Sequence, residues 1–260
     1  MNGSAVDFAI LAPAFLAGLL VLATHVPLGA QVLKKGIVFI DLAIAQIAAL
    51  GVIGAGMFDV SPSGWQMQAA AALAAFGGAV LLDSTEKKWP QVQEAQIGVV
   101  FVLAATAGIL LLSKNPHGGE HLRDLLAGQI LWVGYAQLVI PFLATVVILA
   151  LWFGLRGNLS QLGFYLLFAL AVTVSVQLVG VFLVFATLIV PSLGVRNQPE
   201  KRRLPLAYAV GAGGYAAGLV LSAALDLPSG ALIVWCLAVL GAIAHAAAPQ
   251  GDRVAPAHAA

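Results

Sequence analysis

The stretch LGFYLLFALAVTVSVQLVGVFLVFATLIVPSLGV, Leu162 to Val195, contains no Asp, Glu, Lys, Arg or His. One upright membrane crossing takes about 20 apolar residues, so this tract is too long for one crossing and short for two. On either side of it, apolar runs fall at Phe8–Val26, Ile37–Met57, Trp65–Leu82, Ala95–Leu112, Ile130–Phe153, Leu204–Leu225 and Gly230–Ala248. Each reads as a span. Lys34 and Lys35 follow the first run, and Arg196, Lys201, Arg202 and Arg203 follow the long tract. The bias of cations toward cytoplasmic loops puts both clusters on one side. Points on one side are separated by an even number of crossings, and four spans lie between the first basic cluster and the tract. The tract must therefore cross twice or not at all. A broken pair, residues 162–178 and 180–195 with Gly180 near the turn, satisfies that parity. The expected fold is all-α, a polytopic membrane helical bundle of eight or nine transmembrane helices. It is expected to form a single transmembrane domain over 1–260 with a disordered tail at 249–260.

Composition agrees. Of 260 residues 61% are apolar and 9% are charged, against about a quarter charged in soluble domains. Mean hydropathy is +1.00. Too little charge is present to solvate a globular surface, which excludes a soluble enzyme, a nucleic-acid binder and a disordered scaffold. The net charge of +1 offers nothing to a polyanion, so no nucleic-acid partner is expected. Cys236, the single cysteine, permits no intrachain disulfide. Residues 1–7 contain Asp7 but no Lys or Arg, so the first run is expected to stay as a mature span and not to be a cleaved signal. Under the paired reading, ten of the twelve cations lie inside and only Lys114 and Arg123 outside. The N-terminus and the loop 113–128 are then external. Small residues crowd Gly51–Gly56, Ala69–Gly78 and Ala207–Gly218, which lets helix backbones approach closely in lipid.

No Walker-type phosphate loop, nucleophile elbow or dinucleotide-binding glycine pattern occurs. A pump with this sequence must draw its energy from another polypeptide or from an ion gradient. Ionisable groups within spans cost roughly 2.5–3.5 kcal/mol at the centre, which makes each one a candidate for function. Asp41 and Gln46 lie in the second span, His25 near the inner end of the first beside Thr24, Glu94 at the start of the fourth, and Gln177 in the long tract. Asp41 and Gln46 are about 140° apart round a helix, so they do not form one tight face, though a wide cavity could still be lined by both. Glu94 suits stabilisation of a helix N-terminus. His25 reads as a structural histidine or as a ligand, and Asp41 as an interfacial charge or a functional one.

The loop Asn115-Pro-His117-Gly-Gly-Glu120-His121-Leu-Arg-Asp124 gathers His117, Glu120 and His121, ligand types suited to Zn, Mn and Fe. Its His-x-x-Glu-His spelling also matches an inverted zinc-peptidase motif. That motif needs a helix, whereas Pro116 and Gly118-Gly119 favour a loop, which leaves a metal-handling loop or a merely solvated one.

Several stretches together resemble the permease subunit of the zinc/manganese/iron ABC importers, the ABC-3 family. They are Pro27-Leu-Gly29 with its following basic pair, the Asp41–Gly51 helix, Glu94-Ala-Gln-Ile-Gly98-Val-Val-Phe101, the segment from His117 to Trp132, and Val179-Gly180-Val-Phe-Leu-Val-Phe-Ala-Thr-Leu-Ile-Val-Pro191. The resemblance covers residues 8 to 248. It implies a homodimeric permease of the bacterial inner membrane, similar to type II importers, with its translocation path at the dimer axis. It implies two copies of a cytoplasmic ABC ATPase, an extracytoplasmic metal-binding protein, a second copy of the chain, and surrounding lipid as partners. No cofactor is expected to be held permanently. The divalent metal is cargo, with zinc read first and manganese and ferrous iron fitting similar ligands. The family's second span usually carries Asp followed four residues later by His. Here the aligned histidine position holds Gln46, and Asp41 lies five residues before it. His25 or the loop histidines are then expected to supply the missing imidazole. The tract ending at Pro191 is similar to the family's segment that approaches the ATPase, with Arg196–Arg203 beyond it as docking surface or as ordinary anchoring. The metal candidates are Asp41, Gln46, His25, His117, Glu120 and His121, with no catalytic residue.

A secondary, ion-coupled transporter is the alternative. It calls for a buried proton or sodium relay and two recognisable repeats, and neither is evident beyond Asp41 and Glu94.

Overall fold

A computed structural model of the chain describes residues 8–58, 64–112, 128, 130–155 and 159–248. The outer loop with His117, Glu120 and His121 and the tail 249–260 lie outside the described residues. Among the described residues nine α-helices follow one another: α1 (Phe8–Lys35), α2 (Ile40–Phe58), α3 (Gly64–Lys88), α4 (Gln93–Leu112), α5 (Val139–Gly154), α6 (Gln161–Val179), α7 (Val181–Gly194), α8 (Glu200–Leu225) and α9 (Ser229–Ala246). Three short 3-10 turns, at Pro90–Val92, Ile130–Trp132 and Tyr135–Leu138, complete the described secondary structure. Seven of the helices are long and apolar enough to cross a membrane, and α2 and α7 contribute shorter apolar segments.

The long tract breaks at Gly180, with φ 81° and ψ 164°, a backbone region open essentially to glycine alone. Phe164 at the start of α6 and Ser192 and Leu193 near the end of α7 line the same cavity, so the two helices run out and back, as parity requires. That cavity also collects Lys34, Lys35, Arg196 and Arg203, which puts the two basic clusters at one end of the bundle. The returning helix is short. Its 14 residues rise about 21 Å, less than a hydrocarbon core of about 30 Å. At the far end Gly128 packs its α-carbon against the Val179 carbonyl, where no Cβ fits.

The sequence places the end of the first span at Val26, but α1 continues through Pro27 to Lys35. A helical proline supplies no N–H to the carbonyl four residues earlier, here that of Ala23. The Tyr208 hydroxyl of α8 donates to that oxygen at 3.0 Å, so the helix passes the proline with its acceptor satisfied. One turn on, Gly29 lets α1 lie directly on α7. A Cβ there would overlap the Leu188 carbonyl, and Ser192 Oγ donates to the Val26 carbonyl at 3.3 Å across the same seam. The centre of the bundle is α6 and α7, with Phe168, Val172, Val184 and Leu188 all buried. By contrast α4 and α5 present Leu103, Leu110, Ile140 and Leu143 as exposed apolar surface, the composition of helices that face hydrocarbon.

Candidate metal path

The turn between α1 and α2 fixes the most unusual side chain. Gly36, at φ 73°, ends α1 by donating to the Val32 carbonyl at 3.0 Å, a glycine helix stop. Three residues on, the Phe39 amide donates to Glu94 Oε1 at 3.2 Å. Glu94, the acid in the first turn of α4, thus holds the entrance of α2 as well as sitting at the start of its own helix. Asp41 follows in the first turn of α2. It is 0% exposed, and neither carboxylate oxygen has a hydrogen-bond partner among the described residues. Buried polar atoms are nearly always paired, and an ionised carboxylate without a partner is costlier still. Gln46, further along α2, is also buried.

His25 is fully buried in α1. Its Nδ1 lies 3.0 Å from the Val21 carbonyl and 3.0 Å from Thr24 Oγ1. A carbonyl cannot donate, so Nδ1 carries the proton and Nε2 keeps a lone pair. Nε2 is buried and has no partner among the described residues. A single face of the bundle does not gather these groups. α1 packs on α5, α6, α7 and α8, whereas α2 packs on α3, α4, α6 and α7. Among the described residues no three His, Cys, Asp or Glu side chains lie close enough to hold one metal ion. Gln177 is exposed on α6 while Val176 and Leu178 beside it are buried.

A polar knot at the basic end has no counterpart in the sequence reading. Tyr165 donates its hydroxyl proton to Glu86 Oε2, and Gln93 Nε2 donates to the Tyr165 oxygen at 3.2 Å and to the Leu82 carbonyl at 3.1 Å. Lys35 Nζ approaches Glu86 Oε1 at 3.8 Å and sits 5.4 Å from the Phe164 ring centroid. The ends of α1 and α3 and the starts of α4 and α6 are tied by these contacts. A tyrosine in an apolar tract and a glutamate in Ser84-Thr-Glu-Lys-Lys88 were the only signals, and neither reveals its partner 79 residues away.

The sequence profile of the ABC 3 transport family matches residues 7–162 and 150–248. The chain belongs to that family. This ABC 3 permease shares its fold with the solved structure of PsaBC from Streptococcus pneumoniae in complex with Fab, at 19% identity and TM-score 0.76, over 94% of each chain. It also matches the structure described as "An inward-facing conformation of a putative metal-chelate type ABC transporter", at 18% identity and TM-score 0.67. That match covers 90% of this chain and 84% of the other. The ABC 3 assignment agrees with the resemblance drawn from the Pro27–Gly29, Asp41–Gly51, Glu94–Phe101 and Val179–Pro191 stretches.

Proposed function

We propose that this chain is the permease of an importer for a divalent transition metal, with zinc the first cargo to test and manganese and ferrous iron next. The observation that carries this reading is Asp41, a fully buried carboxylate with two unpartnered oxygens at the entrance of α2. A cation passing there would meet hard oxygen ligands with nothing bonded to them, and Gln46 adds a neutral amide on the same helix. The Nε2 lone pair of His25 is the buried imidazole on offer among the described residues, and His117, Glu120 and His121 form the outer capture point. Asp41 and His25 act from different helices, in keeping with successive contacts along a route. The chain performs no chemistry on its cargo. A second copy of the chain completes the path at the dimer axis, and two copies of an ATPase hydrolyse ATP at the basic end. A metal-binding protein delivers cargo at the other end. The basic end faces the cytoplasm of a bacterial inner membrane and the N-terminus faces out. The Arg196–Arg203 segment forms the docking surface for the ATPase.

The test is zinc uptake by cells or vesicles carrying His25→Ala, Asp41→Ala or His121→Ala at matched membrane abundance. Asp41→Ala should lower uptake at least tenfold, because it removes both oxygen ligands at once. Uptake unchanged in all three variants refutes the reading. Uptake that needs a proton or sodium gradient and no ATP replaces it with a secondary transporter.

A further inference from the structure

The cavity at the basic end has a volume of about 1090 Å³, and its lining is part basic and part apolar. The basic part includes Lys34, Arg196 and Arg203. The ion pairs among the described residues are Lys35–Glu86 and Lys87–Asp83, so these three cations have no carboxylate partner there. Arg203 spends only its Nε, on the Gln198 carbonyl at 2.8 Å. Gln161, on the same wall, keeps a buried Nε2 donor with no acceptor. Glu200 is the one acid on the wall among the described residues. The apolar part comes from Val26, Pro27 and Ala30 of α1 and from Trp152, Phe153 and Leu204, with the small polar groups of Gln31, Ser160 and Ser192 also on the wall. Along α1 the lining runs from Val26 to Lys35, about 13.5 Å at 1.5 Å per residue. Half a hydrocarbon core is about 15 Å.

We propose that this cavity binds an anionic phospholipid, with its phosphodiester held by Lys34, Arg196 and Arg203 and an acyl chain lying along α1 toward Val26. Basic pockets between membrane helices suit anionic headgroups. A soluble anion would occupy the basic mouth and leave the apolar wall wet. An acidic peptide would press backbone N–H and C=O groups against that wall without partners, which is costly. An amphiphile matches both the basic and the apolar parts of the lining. The site uses none of His25, Asp41 or Gln46, and because Arg196 and Arg203 belong to the segment proposed above for ATPase docking, the lipid has to stay bound when the ATPase docks.

The experiment is a titration of the delipidated full-length permease in detergent, read by native mass spectrometry. The probes are dioleoylphosphatidylglycerol, dioleoylphosphatidylcholine and inorganic phosphate. One phosphatidylglycerol per chain should bind in clear preference to phosphatidylcholine. Lys34→Ala/Arg196→Ala/Arg203→Ala should weaken it roughly a hundredfold, since each cation contributes about a fivefold factor. The control Lys88→Ala/Lys201→Ala/Arg202→Ala removes the same charge outside the cavity and should change affinity less than about twofold. Ala30→Trp fills the apolar part with all charges in place and should also abolish binding, which keeps the test sound if the triple variant fails to fold. Equal binding of the two lipids overturns the proposal, as does equal loss in both triple variants. Displacement by excess phosphate assigns the mouth to a free anion, and displacement by the partner ATPase assigns it to a protein contact. Either result also overturns it.

Discussion

Replacing Tyr165 by Phe deletes one hydroxyl from the knot that ties four helix ends together. The hydroxyl donates to the Glu86 carboxylate and accepts from Gln93. Hydrogen bonds to charged groups contribute about 1.5–3 kcal/mol. Two circumstances hold the loss toward the middle of that range. Gln93 Nε2 keeps the Leu82 carbonyl, so no donor is orphaned, and the Glu86 side chain is 22% exposed, so water replaces part of what it loses. Tyr165→Phe should therefore destabilise by about 2 kcal/mol. Glu86→Gln, which keeps an acceptor oxygen, should cost less. The double variant should show a coupling of about 1 kcal/mol, as contacting polar pairs do. Unfolding by dodecyl sulfate in mixed micelles, followed by tryptophan fluorescence, measures all three. Salt separates the two contacts at Glu86. The partly exposed Lys35–Glu86 pair at 3.8 Å is screened and contributes little, whereas the Tyr165–Glu86 hydrogen bond persists. A coupling within about 0.3 kcal/mol of zero, or one that disappears in high salt, refutes the knot as a structural tie.

Gly180→Ala forces a Cβ into a glycine-only backbone region and should cost about 1–3 kcal/mol in the same unfolding titration. Gly98→Ala, in mid-helix with open space around its α-carbon, should be neutral or stabilise by about 0.5–1 kcal/mol. Tyr208→Phe leaves the Ala23 carbonyl bare in the bundle and should cost about 1–2 kcal/mol. Pro27→Ala should rescue most of that loss by restoring the helix's own donor.

The sequence carried the helix count well, because charge asymmetry and parity are global constraints and need no knowledge of packing. Gly180 was readable for the same reason, because parity asks the Leu162–Val195 tract to reverse and Gly180 lies near its middle. The end of the first helix was not readable. The apolar run stops at Val26, and the hydroxyl that lets the helix pass Pro27 comes from a residue 185 positions away. Asp41 was visible as a charge among apolar neighbours, but its lack of partners emerges only when every neighbouring helix is in place. Glu94 was legible as a helix-start acid, while its grip on the Phe39 amide across 55 residues was not. Partners of side chains, unlike helix count, are set by three-dimensional packing that one chain does not spell out locally.

The hydroxyl that completes α1 also restricts how the permease can move. If α8 swung away from α1, the Ala23 carbonyl would face hydrocarbon with no water and no N–H to take the place of Tyr208, and the chain would bear that cost in every cycle. That cost favours movement of α1 and α8 together, and distance probes placed across α1 and α8 should report a constant separation while others change.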